Sequence, residues 1–199
     1  ESGRQRKLII FTEHRDTLNY LKDKVASVLG RTEAVVTIHG GIGRQDRLNT
    51  QEAFKHDPDV QVLLATDAAG EGITLQRAHL MVNYDLPWNP MRIEQRIGRI
   101  DRYGQQSETV VIVNVVTPGT VDADIYERCL WRIGVFQHAV GGSEEILGEI
   151  TQELHDVADS FNLSATERAQ RLQQLSDNGI RQIREEQELE SKQLLFPLL

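Results

Sequence analysis

A single cysteine in 199 residues, Cys129, excludes an internal disulfide and a cysteine-based zinc site. It sits in an apolar helical pattern and reads as a packing residue. No apolar run approaches the roughly 18 residues that cross a bilayer, and no signal-peptide pattern is present. The expectation is a soluble, intracellular chain without a membrane partner. The six histidines show no His-x-x-x-His spacing, so no metal site is expected. Net positive charge is missing too: the balance is −8. From Ser143 onward there are 5 Lys+Arg against 12 Asp+Glu, leaving 17 against 18 for residues 1–142. That excludes a generally basic nucleic-acid glue but leaves room for a local phosphate-binding groove on a neutral body. Two phosphate-handling signatures are absent as well. There is no Gly-x-x-x-x-Gly-Lys-Ser/Thr and no Asp-Glu-x-His/Asp after a strand. No repeat of about 20–50 residues and no low-complexity tract occurs.

With 39% apolar residues, the chain can build one domain of about 150 residues plus appendages. Short apolar runs at Lys7–Thr12, Glu33–Ile38, Val60–Ala65, Leu80–Tyr84 and Thr109–Val116 read as strands. Helical spacing fills the gaps: His14 to Leu29, stopped by Gly30; Arg44–His56, with Leu48 and Phe54 inward; Met91 to Asp101; Thr120 to about Val140. Apolar runs alternating with helices indicate a parallel sheet covered on both faces. Ligands on such sheets sit at the carboxyl ends of the strands. Residues 12–15, 39–47 and 66–74 open on that edge. Residues 1–142 are therefore expected to form one α/β domain, and 143–199 an acidic helical extension. In the extension, Ile146, Ile150, Leu154, Val157 and Phe161 form one amphipathic helix. Ser164-Ala-Thr-Glu167 is a capping box opening another, with Asn178-Gly179 a break or C-cap. The first residues, Glu1 to Lys7, lack an initiator Met and run straight into a strand, as expected of a piece of a longer protein.

Three stretches carry chemistry. In Gln95-Arg-Ile-Gly-Arg99-Ile-Asp-Arg102-Tyr-Gly-Gln105, Ile93, Ile97 and Ile100 make an apolar stripe and Gln95, Arg99 and Arg102 a polar one. The offset of two residues is about 200° on a helix of about 3.6 residues per turn. Two guanidinium groups would then stand side by side, suited to carboxylate or phosphate oxygens. A solvated basic face would account for two arginines alone. Ala65-Thr66-Asp67-Ala-Ala-Gly70-Glu71-Gly72-Ile-Thr74 ends a buried strand in a glycine-rich loop, where backbone can approach a ligand. Asp67 can accept from a ribose hydroxyl, and Thr66 can hold a phosphate; an ordinary βα loop is the plainer reading. His39-Gly40-Gly41-Ile-Gly43 follows a strand, but Asp46 stands where a dinucleotide fingerprint needs glycine, so that reading is rejected.

In order and spacing these stretches resemble superfamily 2 helicases and translocases. Gln95–Gln105 is similar to motif VI, Ala65–Thr74 to motif V, Leu8–Thr12 to motif IV, and His39–Gly41 to the backbone-binding turn that follows. Asp85-Leu-Pro-Trp88-Asn-Pro90 ahead of the arginines resembles the Swi/Snf-type branch and its bacterial relatives. Gln95-Arg-Ile-Gly98 is nearer the general helicase form, and Glu71 stands where many Swi/Snf proteins carry glycine. The resemblance spans residues 7–136. It implies a RecA-like, P-loop NTPase-like second lobe with a helical extension. It also implies an ATP-dependent DNA helicase or translocase in the full-length protein, working in the bacterial cytoplasm. Arg99 and Arg102 would reach the ATP γ-phosphate, with Gln95 beside them. Asp67, Gly70, Glu71 and Gly72 would line the nucleotide. Thr12, His39, Gly40, Gly41, Thr66 and Trp88 would meet nucleic acid, double-stranded DNA being the expected form. ATP with magnesium would be held mainly by an N-terminal RecA-like lobe of the same protein, so this chain alone is expected to be inactive. A second reading is a non-catalytic adaptor whose helical tail binds a protein partner.

Overall fold

A computed structural model describes residues 6–67, 75–105, 107–127, 144–160 and 162–195. The chain divides into two compact units: residues 1–86 with 92–115, and residues 87–91 with 116–199. The expected boundary at residue 142 falls outside the described residues.

The first unit is built on five parallel strands: β1 (Leu8–Thr12), β2 (Val35–Ile38), β3 (Val62–Thr66), β4 (Leu80–Asn83) and β5 (Val111–Asn114). Their order is β2-β3-β1-β4-β5. The chain fills one side of β1, then crosses to the other, so β1 lies at the point where connections diverge. Register aligns Thr12 with Thr66 and Phe11 with Asn83 at the carboxyl edge.

Alternation along the strands splits the core into two layers. Ile10, Val62 and Leu64 pack with Leu18, Leu21 and Ala26 of α1 (Arg15–Leu29). Ile9, Phe11, Leu63, Ala65 and Met81 pack on the other face with Phe54 of α2 (Arg44–His56) and with Ile100. Full burial of one such side chain contributes about 1.5–3 kcal/mol. Gly30 ends α1 at φ 66°, a conformation other residues adopt only with strain. Lys7 caps α2: its ammonium donates to the Phe54 and Asp57 carbonyls and lies 5.3 Å above the Phe54 ring. Burial, and then the charge of Arg77, pulls its pKa below the usual lysine range.

Several boundaries differ from those the sequence suggests. Leu48 is exposed and Gln51 is buried, because the inward face of α2 is centred on Phe54 rather than Leu48. On β5, Val111 and Val113 stay about half exposed (47% and 48%) while Ile112 joins the core, since β5 is an edge strand. The arginine helix, α3, runs only over Pro90–Ile97. At its start Pro90 takes the first helical position and the Asn89 side chain accepts from the Met91 N–H at 2.9 Å. At its end the bonds shorten to Arg99 N–H to Arg96 C=O and Ile100 N–H to Ile97 C=O, a tightened last turn.

In the second unit, α4 (Val121–Ile125) is capped by Thr120, whose hydroxyl accepts from the Ala123 N–H. The rest of the expected helix to Val140 lies outside the described residues. Helices α5 (Glu144–Asp159) and α6 (Ala165–Leu195) pack against each other. Of the expected stripe, Ile150, Leu154 and Val157 are buried and Ile146 is half-buried, with Leu147 buried beside it; Phe161 lies outside the described residues. The capping box forms as read: the Glu167 N–H donates to the Ser164 hydroxyl, and the Ser164 N–H donates back to the Glu167 carboxylate at 2.9 Å. Asn178-Gly179 does not break α6. Gly179 falls on the stripe of Leu172, Leu175, Ser176 and Ile183, so it is spent on the buried face rather than on a turn.

Candidate nucleotide and nucleic-acid site

β1, β3 and β4 end together in polar residues, and one arginine collects them. Arg96 is fully buried. Its Nε donates to Asp67 Oδ1 at 2.6 Å and its Nη2 to Asp67 Oδ2 at 2.7 Å, a two-pronged pair. Nη1 donates to Asn83 Oδ1 at 3.0 Å and to the Asp85 carbonyl at 2.9 Å. The guanidinium lies 5.4 Å from the centroid of the Phe11 ring, within cation–π range.

A second layer fixes those acceptors. Asp85 takes the Thr12 hydroxyl on Oδ2 and the Glu13 N–H on Oδ1 at 2.7 Å. Asn83 donates to the Asn114 side chain at 2.7 Å, tying β4 to β5. Glu13 lies 3.6 Å from Arg92. Its carboxyl is pushed above the usual range, first by burial and then by Asp85 and Asp67, against the pull of Arg96 and Arg92. A charge in low dielectric needs partners of opposite sign, and here one cation serves two carboxylates.

Beyond α3 the chain is held by its own side chains. The Leu75 N–H donates to the Arg99 carbonyl at 2.9 Å. Gln105 Nε2 donates to the Ala78 and Ile100 carbonyls at 2.9 and 3.0 Å, and Gln76 Nε2 donates to the Tyr103 carbonyl. Gly104 sits at φ 99°, where a side chain would be strained. This stapled turn leaves Arg102 and Tyr103 exposed, and Gln95 is exposed on α3. Arg99 is half-buried. Because the regular helix stops at Ile97, the spacing that set Arg99 and Arg102 side by side on one face does not apply.

Thr12 and Thr66 are neighbours in register, as expected of one edge, yet both are buried. Asp67 is at the same edge with both carboxylate oxygens accepting from Arg96. His39-Gly40-Gly41 leaves β2 at that edge as a tight turn, the Gly41 N–H donating to His39 Nδ1 at 3.1 Å. A Cβ on Gly41 would come within 3.3 Å of both Arg15 and the His39 ring, so the position has little room. Burial, then Arg15, pulls the His39 pKa down, which fits its use as an acceptor. Trp88 belongs to the second unit: its indole N–H donates to Asp122 at 2.8 Å and its ring lies 4.8 Å from that of His155. Gly70, Glu71 and Gly72 lie outside the described residues.

Arg96 is the residue that sequence reasoning missed, and its signal was present. Ile93, Arg96, Ile97 and Ile100 fall at i, i+3, i+4, i+7, so Arg96 lies on the apolar stripe. An arginine there has to be buried with partners. Asn83, closing an apolar strand, and Gln105 were open to the same reasoning.

Five parallel strands in the order β2-β3-β1-β4-β5, with helices on the sheet, make this an α/β unit of RecA-like fold. Residues 1–104 match the family "Helicase conserved C-terminal domain", and the chain belongs to that family. Over 156 residues, 76% of the chain, it is 42% identical to "Uncharacterized ATP-dependent helicase YqhH" of Bacillus subtilis (strain 168). Over 190 residues, 93% of the chain, it is 29% identical to "Protein CHROMATIN REMODELING 24" of Arabidopsis thaliana. It spans 27% and 17% of those two proteins. The crystal structure of the C-terminal part of the Fun30 ATPase domain superposes with a TM-score of 0.55 at 20% identity, covering 89% of this chain and 48% of that one. That likeness bears on the fold.

Proposed function

We propose that this chain is the second motor lobe of an ATP-dependent helicase or translocase of Swi/Snf type. In this reading it supplies arginine side chains to ATP held by a first lobe of the same protein, and part of a track for nucleic acid, double-stranded DNA first. The observation that carries the reading is the stapled turn, which holds Arg102 out into solvent at the end of a segment anchored on the carboxyl edge of the sheet. An exposed guanidinium fits a polyphosphate. Among the described residues no group of three or more His, Cys, Asp or Glu is placed to hold a metal ion. In this reading ATP with magnesium is held mainly by the first lobe, and no step here is assigned to the metal. The relatives named as ATP-dependent helicase and chromatin-remodelling protein support the class.

Under this reading the chain's own residues orient and neutralise. Arg102, with Arg99 nearer the core, meets charge developing on the transferred phosphoryl group. Such an arginine is worth about 10³–10⁵ in rate in related phosphoryl transfer. The turn at His39–Gly41 would lie along a phosphate backbone, a contact that positions without reading sequence. Residues 1–142 would form the lobe and 143–199 its helical extension. Arg102→Ala in the longer, ATP-hydrolysing protein is expected to cut turnover about 10³-fold or more while nucleic-acid binding without ATP persists. Turnover near that of the parent protein would sink the assignment. The 199-residue chain alone is expected to hydrolyse no ATP.

A further inference from the structure

Arg96 is not among the proposed phosphate contacts, yet it is a fully buried charge. Burying a guanidinium with carboxylates is often no better for stability than an apolar side chain of like size. What the arrangement provides is geometry. Arg96 touches the tips of β3 and β4 at once, through Asp67, Asn83 and Asp85, and it stands on the helix that leads to Arg99 and Arg102. Its ring partner Phe11 is on β1, so one side chain joins three strand ends.

We infer that Arg96 is a positioning residue for ATP hydrolysis, with Asp67 as its anchor rather than a ligand of the nucleotide. The inference rests on the motor-lobe reading and deepens it. Asp67 presents both oxygens to Arg96 in a two-pronged pair and its side chain is only 16% exposed. A carboxylate so engaged is a poor free acceptor for a sugar hydroxyl but a rigid stop for a guanidinium. Arg102 lies six residues beyond Arg96, on the tightened turn that continues from the end of α3. A shift of the helix end at Arg96 is carried through that turn to Arg102, and a misplacement near 1 Å can cost about 10²-fold in rate. Thr66 sits on the opposite side of Asp67 in the chain, so the same anchor fixes the end of β3.

The test uses the longer protein and its steady-state ATPase, with Arg96→Lys, Asp67→Asn and the double variant. Arg96→Lys keeps the charge and loses the fork; Asp67→Asn keeps shape and one acceptor. Each single change is expected to lower kcat by about tenfold to a hundredfold while KM for ATP moves less than about threefold. The double variant should be no slower than the slower single one, because both remove one contact. The ratio of kcat/KM for ATP to that for 3′-deoxy-ATP should be unchanged by Asp67→Asn. A purely structural part for Arg96 would leave kcat intact in every variant still folded at the assay temperature, and that outcome overturns the inference. So does Asp67→Asn raising KM at constant kcat and erasing the preference for the ribose hydroxyl. Multiplied losses in the double variant would also overturn it. If Arg96→Lys does not fold, Asp67→Asn decides alone. A parent protein without ATPase would instead refute the motor-lobe reading, and is separable because it is measured first.

Discussion

The two compact units solve their polar problems by different means. In the sheet-bearing unit the decisive bonds join residues far apart in sequence: Thr12 with Asp85, Arg96 with Asp67, Asn83 with Asn114. In the helical unit most stay within a turn: Ser164 with Glu167, Thr151 with the Leu147 carbonyl, Ser160 with the Asp156 carbonyl, with Trp88 to Asp122 a long-range exception. Local bonds of the second kind serve a helix wherever it is placed. Long-range ones require several strands to end at the right depth, and they fix side chains in three dimensions. The proposed chemistry falls on the first kind.

The contrast breaks most sharply at Arg96. Arg96→Met fills similar volume but strands the Asp67 and Asp85 carboxylates without their cation. Removing one partner of a buried pair costs about 3–5 kcal/mol. Urea unfolding of the 199-residue chain should show a loss in that range for the transition of the sheet-bearing unit. A loss under about 1 kcal/mol would mean that the knot is loose, and the difference between the units would vanish. At the local end, Ser164→Ala removes the hydroxyl that accepts from the Glu167 N–H. About 1 kcal/mol is expected, as for other N-caps. Ser164→Asp should restore most of it, since any short acceptor serves. Circular dichroism at 222 nm through a urea series follows both variants.

The same contrast explains what could be read in advance. The parallel sheet, the stop at Gly30, the cap at Asn89-Pro90 and the capping box at Ser164 all follow from residues adjacent in sequence, and each is present. The misreadings arose where a distant partner decides. The apolar period from Met91 holds to Ile100 and predicts one helix to Asp101. The chain instead tightens after Ile97, and the Arg99 carbonyl accepts from Leu75, a partner no helical pattern reveals. Asn178-Gly179 has a helix-ending composition, but the burial of Gly179 beside Leu175 and Ile183 outweighs the local cost of about 1 kcal/mol for a helical glycine. Family resemblance points to Arg99 and Arg102, residues that would meet a ligand, and is silent on Arg96. A buried charge on an apolar stripe is a physical signal that needs no family.

The smallest effect is expected at Glu13, which lies at the rim of the knot. Its backbone N–H belongs to the network, whereas its side chain faces a surplus of negative charge. The fold raises this carboxyl above the ordinary glutamate range, by burial and then by Asp85 and Asp67. A raised carboxyl pKa means that the fold favours the protonated form. That contribution is fully present below the unfolded value and is lost as pH rises through the folded one. At pH 7 the ionised side chain is therefore a liability, eased by Arg92 at 3.6 Å. Glu13→Gln removes the charge, leaves the N–H to Asp85 in place and keeps an oxygen for Arg92. Its thermal midpoint should exceed that of the parent chain at pH 7, and the gap should close as pH falls below the ordinary glutamate range, where both side chains are neutral. A lower midpoint at pH 7 would show that the Arg92 pair outweighs the repulsion. The rim would then belong with the knot, and the sheet-bearing unit would extend its long-range bonding out to its surface.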